Sequence, residues 1–129
     1  MDARRLEGVG FFSNLSKKEL AKLAQWADEV LVRAGDRLAT EGDFAHEFFV
    51  IEEGSAEVTQ NGERIAELGP GEFFGEIGLL ETERRTASVV ATTPMRLIVM
   101  FQREFKQMER ELPTVAERIR AAIRARLDR

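Results

Sequence analysis

The chain has 129 residues, no cysteine, one histidine and a formal net charge of −4, with 43% hydrophobic and 33% charged residues. That size and apolar content suit one domain around one core, while the missing cysteines exclude a disulfide framework and any thiolate metal site. The negative balance argues against nucleic acid as a partner. With no apolar run of bilayer length and no signal-peptide pattern after Met1, no membrane contact by this chain itself is expected, and a cytoplasmic location is.

The first part, residues 1–28, reads as helical. Ser16-Lys17-Lys18-Glu19 has the form of a capping box, Ser at the N-cap and Glu three residues on. Leu20, Leu23, Ala24 and Ala27 then recur at helical spacing, and Phe11, Phe12 and Leu15 precede them as a short packing turn. Residues 29–101 read as strands. Val30-Leu31-Val32, Phe48-Phe49-Val50-Ile51 and Leu97-Ile98-Val99-Met100-Phe101 are short apolar runs, separated by turn signals such as Ala34-Gly35-Asp36, Glu41-Gly42-Asp43, Gly54 and Gly69-Pro70-Gly71. Asn61-Gly62 tolerates the two positive φ angles of a type I′ turn, which predicts a hairpin of Ser55–Gln60 and Glu63–Leu68. About eight short strands at this spacing predict a mainly β fold with flanking helices, an antiparallel double-sheet β-roll of jelly-roll type.

Residues 102–129 turn helical again. Gln102 to Glu111 is rich in helix formers, Leu112-Pro113 breaks the run, and a last helix is expected from an N-cap at Thr114. Val115, Ile119, Ala122, Ile123 and Leu127 place an apolar stripe along it. From Arg118 to Arg129 there are five Arg and one Asp, a local +4, so the remainder carries −8. Either a solvated face favoured by the helix dipole or a surface for a ligand or partner accounts for that.

One stretch fits neither a strand nor an ordinary helix: Phe73-Phe74-Gly75-Glu76-Ile77-Gly78-Leu79-Leu80, followed by Glu81-Thr82-Glu83-Arg84-Arg85-Thr86-Ala87-Ser88-Val89. It reads as a single helical turn inserted between strands, with backbone N–H groups open to an anion and Gly75 permitting close approach. A carboxylate (Glu76), two adjacent cations (Arg84 and Arg85) and a hydroxyl (Thr86) stand nearby. A guanidinium fork and N–H donors suit a phosphodiester, and a carboxylate suits a ribose 2′-hydroxyl. On spacing alone, a structural Glu76–Arg85 ion pair beneath a loop explains the same residues.

This stretch resembles the phosphate-binding cassette of the cyclic-nucleotide-binding domain family: Phe-Gly-Glu, a small apolar turn, then Arg and a hydroxyl or small residue leading into a strand. The upstream glycines and flanking helices are similar too, so the resemblance covers the whole chain as a single domain. Arg-Thr-Ala-Ser-Val at 85–89 and Arg-Leu-Asp-Arg at 126–129 look most like the channel-type branch. The resemblance implies that Gly75 and Ile77 offer backbone N–H groups, Glu76 holds the 2′-hydroxyl, Arg85 rather than Arg84 holds the phosphate, and Thr86 contacts phosphate or base. Val58, Ile65 and Leu68 match base-lining positions, although the core alone would ask for apolar residues there. Ile123 and Arg126 share the face of the last helix that matches the family's lid; plain solvation of Arg126 is the other reading. Family members preferring cGMP often carry a lid acid, and Asp128 lies off that face, so cAMP is the expected ligand and cGMP the alternative. No cofactor is implied. An effector domain or partner protein is expected to read the C-terminal helices.

A β-roll metalloenzyme would need about three His and a carboxylate, against the single His46, and no nucleophile–base pair can be assembled. An enzyme is therefore not expected. A DNA-binding regulator would continue into a helix-turn-helix, which is not expected in a chain ending at Arg129. A degenerate module would be expected to lose Glu76 or Arg85, and both are present.

Overall fold

A computed structural model describes residues 1–44, 46–75 and 84–127, apart from the side chains of Phe11, Arg126 and Leu127. Helix α1 (Ala3–Glu7) and a 3-10 turn (Gly10–Phe12) lead to α2 (Lys17–Leu23). Eight strands follow among the described residues: β1 (Asp28–Val32), β2 (Arg37–Ala39), β3 (Glu47–Glu53), β4 (Ala56–Gln60), β5 (Glu63–Leu68), β6 (Phe73–Phe74), β7 (Ser88–Ala91) and β8 (Met95–Phe101). Helices α3 (Gln102–Glu111) and α4 (Pro113–Leu127) close the chain. The strands form two antiparallel four-stranded sheets, β1-β8-β3-β6 and β2-β7-β4-β5, the mainly β roll with flanking helices that the turn spacing predicts.

The uninterrupted apolar runs of β3 and β8 have a physical cause. Strands buried on both faces lose the alternation of half-exposed strands. Phe48, Val50, Ile98 and Met100 face the helices, whereas Phe49, Ile51, Leu97 and Val99 face the second sheet with Ala56, Phe74, Val89 and Ala91. The result is one core between the sheets and another between the first sheet and the helices. The outer strand β5 is exposed along most of its length, and its Glu63, Arg64 and Glu67 blunt the free edge with charge.

The helical core joins both ends of the chain. Leu6, Phe12, Leu23, Phe105, Met108, Ile119 and Ile123 are all buried there, each to within about 2% of full burial. The capping box of α2 forms as its spacing predicts: the Ser16 hydroxyl accepts from the Glu19 N–H (3.1 Å), and the Glu19 carboxylate accepts from the Ser16 N–H (2.9 Å). The same Glu19 oxygen accepts from Arg118 on α4 at 2.6 Å. The Ser16 N–H bond, foremost, and Arg118 hold the Glu19 carboxyl below the ordinary carboxylate range against a partial burial cost. Where α1 meets the first sheet, Arg5 pairs with Glu29 and lies 3.6 Å from Glu52, whose carboxyl is pushed up by burial despite Arg5. Burial and the charge of Asp28 likewise raise Glu104.

Three boundaries depart from the sequence reading. Helix α1 lies inside the stretch 1–28 that reads as helical, but no strong periodic signal marks its five-residue bounds. The first strand of the hairpin starts at Ala56, not Ser55, because Ser55 is engaged by Thr92 and Thr93. Helix α4 starts at Pro113, one residue before the expected cap at Thr114. Proline suits a first helical position, where its missing N–H has no partner to lose. The hairpin turn itself forms as expected, with Asn61 at φ 54° and Gly62 at φ 79°.

Candidate functional site

Strand β6 ends in the inter-sheet core, where Phe74 stacks on Phe49 with ring centroids 4.6 Å apart. That anchor delivers Gly75 at φ +78° to the edge of the roll. The chain is described again from Arg84, which bridges Phe44 in antiparallel sense. The Arg85 N–H donates to the Asp43 carbonyl (2.7 Å), and the Gly42 N–H donates to the Arg85 carbonyl (2.9 Å). Residues 42–44 and 84–85 thus run antiparallel through one isolated bridge, and the side chains of Arg84 and Arg85 alternate across it.

This alternation separates the two arginines. Arg84 is exposed, lies over the Phe44 ring at 4.4 Å and donates to the Gly42 carbonyl at 2.7 Å. Arg85 points inward, is 9% exposed, and its Nη2 donates to the Glu47 carbonyl at 3.0 Å. Gly75 is what makes room for it. A Cβ at position 75 would collide with the Arg85 guanidinium and lie 2.7 Å from the Glu47 carbonyl oxygen. The glycine therefore serves two needs, a positive φ and a guanidinium laid against the backbone.

Arg85 forms part of the wall of an open cavity of about 140 Å³, lined by Ala39, Val58, Phe74, Gly75, Arg85, Thr86, Ala87 and Val89. Its lining is apolar apart from the Arg85–Thr86 end, the mix of apolar wall and few polar groups usual in small-molecule sites. A guanidinium fork beside a hydroxyl and glycine backbone suits an anionic group, and the valines and alanines suit a flat apolar body.

Of the residues singled out from sequence, Val58, Gly75, Arg85 and Thr86 come together here. Leu68 packs on the inter-sheet core and Ile65 is 54% exposed on β5; neither lines the cavity. Ile123 is fully buried among the helices, away from the lining residues. Glu76 and Ile77 lie outside the described residues, as do the short cassette helix, Leu79, Leu80 and the side chain of Arg126. The sequence reading did not assign Ala39, Phe74, Ala87 and Val89 to the cavity. Gln60 was also passed over: its Nε2 donates to the Thr86 carbonyl at 3.1 Å. His46 is exposed, and among the described residues no three His, Asp or Glu side chains cluster as metal ligands.

A family model described as "Cyclic nucleotide-binding domain" matches residues 29–111. The chain belongs to that family. A cAMP-dependent protein kinase regulatory subunit of Schizosaccharomyces pombe is 34% identical over 104 residues, covering 80% of this chain and 25% of that protein. The cGMP-dependent protein kinase egl-4 of Caenorhabditis briggsae is 34% identical over 117 residues, covering 85% of this chain and 16% of that one. Among solved structures, the N-terminal domain of a transcriptional regulator from Streptomyces coelicolor superposes with a TM-score of 0.80 at 27% identity, covering 99% of this chain and 94% of that one. This cyclic nucleotide-binding domain thus spans a quarter or less of the two kinase proteins. Neither kinase protein is named as a channel, the branch to which residues 85–89 and 126–129 pointed. No helix among the described residues is long and apolar enough to cross a membrane.

Proposed function

We propose that this domain is a non-catalytic sensor that binds a 3′,5′-cyclic nucleotide, cAMP ahead of cGMP, in the cavity walled by Arg85. The observation that carries the reading is the inward Arg85, nearly buried yet lining an open cavity beside Gly75 and Thr86. In this reading Arg85 takes the exocyclic phosphate oxygens, and the Gly75 and Ile77 N–H groups share them. Glu76 accepts from the ribose 2′-hydroxyl, and Thr86 bonds phosphate or base. Val58 takes one face of the purine, whereas Ile65 and Leu68, which do not line the cavity, have no part in holding it. The kinase relatives favour a regulatory-subunit type of module over a channel-type one. Residence in the cytoplasm belongs to the same proposal, in keeping with a chain free of cysteine.

Occupancy is reported, on this reading, by α3 and α4 to an effector domain or partner protein. Ile123, with Arg126, can serve as a lid only if α4 leaves its seat against Leu6, Phe12 and Leu23. Uncovering Ile119 and Ile123 would cost about 3–6 kcal/mol. That is comparable to the roughly 5.5 kcal/mol of differential affinity needed to invert a two-state equilibrium. Re-burial of Ile123 against the ligand must therefore offset the loss. Thermal melting tests the binding claim: at ligand near one hundred times Kd the gain is about 2.7 kcal/mol, or roughly 8–15 °C for a domain of this size. An unchanged melting temperature in millimolar cAMP and millimolar cGMP would exclude the proposal.

A further inference from the structure

Strand β4 points one face into the roll. Ala56 is fully buried there, Val58 lines the cavity, and Gln60 is the next residue on the same face. Across the ladder, Val58 pairs with Val89 and Thr59 with Ser88, so Gln60 follows them along β4, outside the lining itself but bonded to one of its residues, Thr86. Gln60 is exposed, and the core has no use for its side chain. Its carboxamide is nonetheless held in one place by the 3.1 Å bond from Nε2 to the Thr86 carbonyl, and Thr86 is itself a lining residue. That bond uses one N–H. The carboxamide retains a second N–H and the Oε1 acceptor.

We propose that Gln60 is a specificity-determining residue, its carboxamide reading the edge of the bound base and favouring adenine over guanine. The inference rests on the cyclic-nucleotide reading above and names what selects the base in that site. Adenine offers an amino donor beside a ring-nitrogen acceptor, which matches the acceptor–donor pair of a carboxamide. Guanine offers two acceptors on the same edge, so Oε1 would face a carbonyl oxygen and one bond would be lost. A residue that merely braced Thr86 would affect both nucleotides alike, because both carry the same ribose phosphate.

Calorimetric titration of cAMP and of cGMP into the wild type, Gln60→Ala and Gln60→Glu separates these cases. Gln60→Ala is expected to weaken cAMP about ten-fold and cGMP less than about two-fold, so that the wild-type preference for cAMP collapses. Gln60→Glu, which keeps the size and loses the donor, should also weaken cAMP selectively. Equal weakening of both ligands, or an unchanged affinity ratio in both variants, would overturn the role of Gln60 and leave the cyclic-nucleotide reading intact. Failure of the wild type to bind either nucleotide would overturn both.

Discussion

Gly75→Ala tests the packing logic of the site without removing any charged group. Two costs can be worked from the geometry. An L-residue at φ +78° is strained by about 1–2 kcal/mol. The new Cβ would also collide with the Arg85 guanidinium and lie 2.7 Å from the Glu47 carbonyl oxygen, a backbone atom of the central strand β3. The guanidinium is the group that can yield, and moving it breaks the Nη2–Glu47 bond, a charged hydrogen bond of about 1.5–3 kcal/mol. The total is about 2.5–5 kcal/mol. Gly62→Ala is the control: its φ is +79°, and a Cβ there meets nothing within 4 Å, so only the strain of about 1–2 kcal/mol applies. For 129 residues the unfolding entropy is about 0.27 kcal/mol per degree. Calorimetric melting should therefore fall by roughly 9–18 °C for Gly75→Ala and by roughly 4–7 °C for Gly62→Ala. Equal losses in the two variants would refute the account of Gly75 as the seat of Arg85.

Three further outcomes follow from particular contacts. Glu19→Gln keeps an acceptor for the Ser16 N–H but gives up the charge facing Arg118, so it should cost under about 1 kcal/mol in chemical denaturation and match Arg118→Ala. Glu19→Ala also loses the reciprocal cap bond and should cost about 1–2 kcal/mol. The lowered Glu19 pKa means that its stabilisation is present above the ordinary carboxylate value and is lost as pH falls through the depressed one, so the Glu19→Gln difference should vanish in acid. Glu52 has the opposite sign: burial raises its pKa, so its charge costs the fold above that raised value and ceases to do so below the ordinary value. Glu52→Gln should accordingly raise the melting temperature at pH 7, with the gap closing towards pH 4. Hydrogen exchange should register altered protection of the α4 amides between Thr114 and Leu127 when cAMP is added; identical protection would show that α4 is not the reporter.

Much of this fold was legible because its signals are local. Ser16 with Glu19, Asn61-Gly62, and the continuous apolar runs of β3 and β8 each reduce to hydrogen bonds or face alternation within a few residues. Helix α1 was legible only as part of a helical stretch, since its bounds depend on contacts across the fold, Leu6 in the helical core and Arg5 with Glu29 and Glu52. The site divides in the same way. Arg85 was set apart from Arg84 only by the resemblance, and what the structure adds is that Arg85 turns inward while Arg84 stays exposed over Phe44. Gln60 and Ala39 were hidden, because their nearness to Thr86 or to the cavity arises only when the second sheet is paired. Ile123 shows the converse. Its stripe correctly predicted burial, but periodicity alone does not say against which surface a helix face is buried.

The most direct test of the central claim is a calorimetric titration of cAMP into the wild type and Arg85→Ala, with Arg84→Ala as the control. Saturable one-to-one binding is expected for the wild type. Arg85→Ala should weaken it by about 2–5 kcal/mol, because the phosphate would lose its desolvated partner. Arg84→Ala should shift it by under about 1 kcal/mol, as suits an exposed cation stacked on Phe44. No heat from the wild type at millimolar cAMP or cGMP, or equal losses in the two arginine variants, would contradict the assignment of this cavity as a cyclic-nucleotide site.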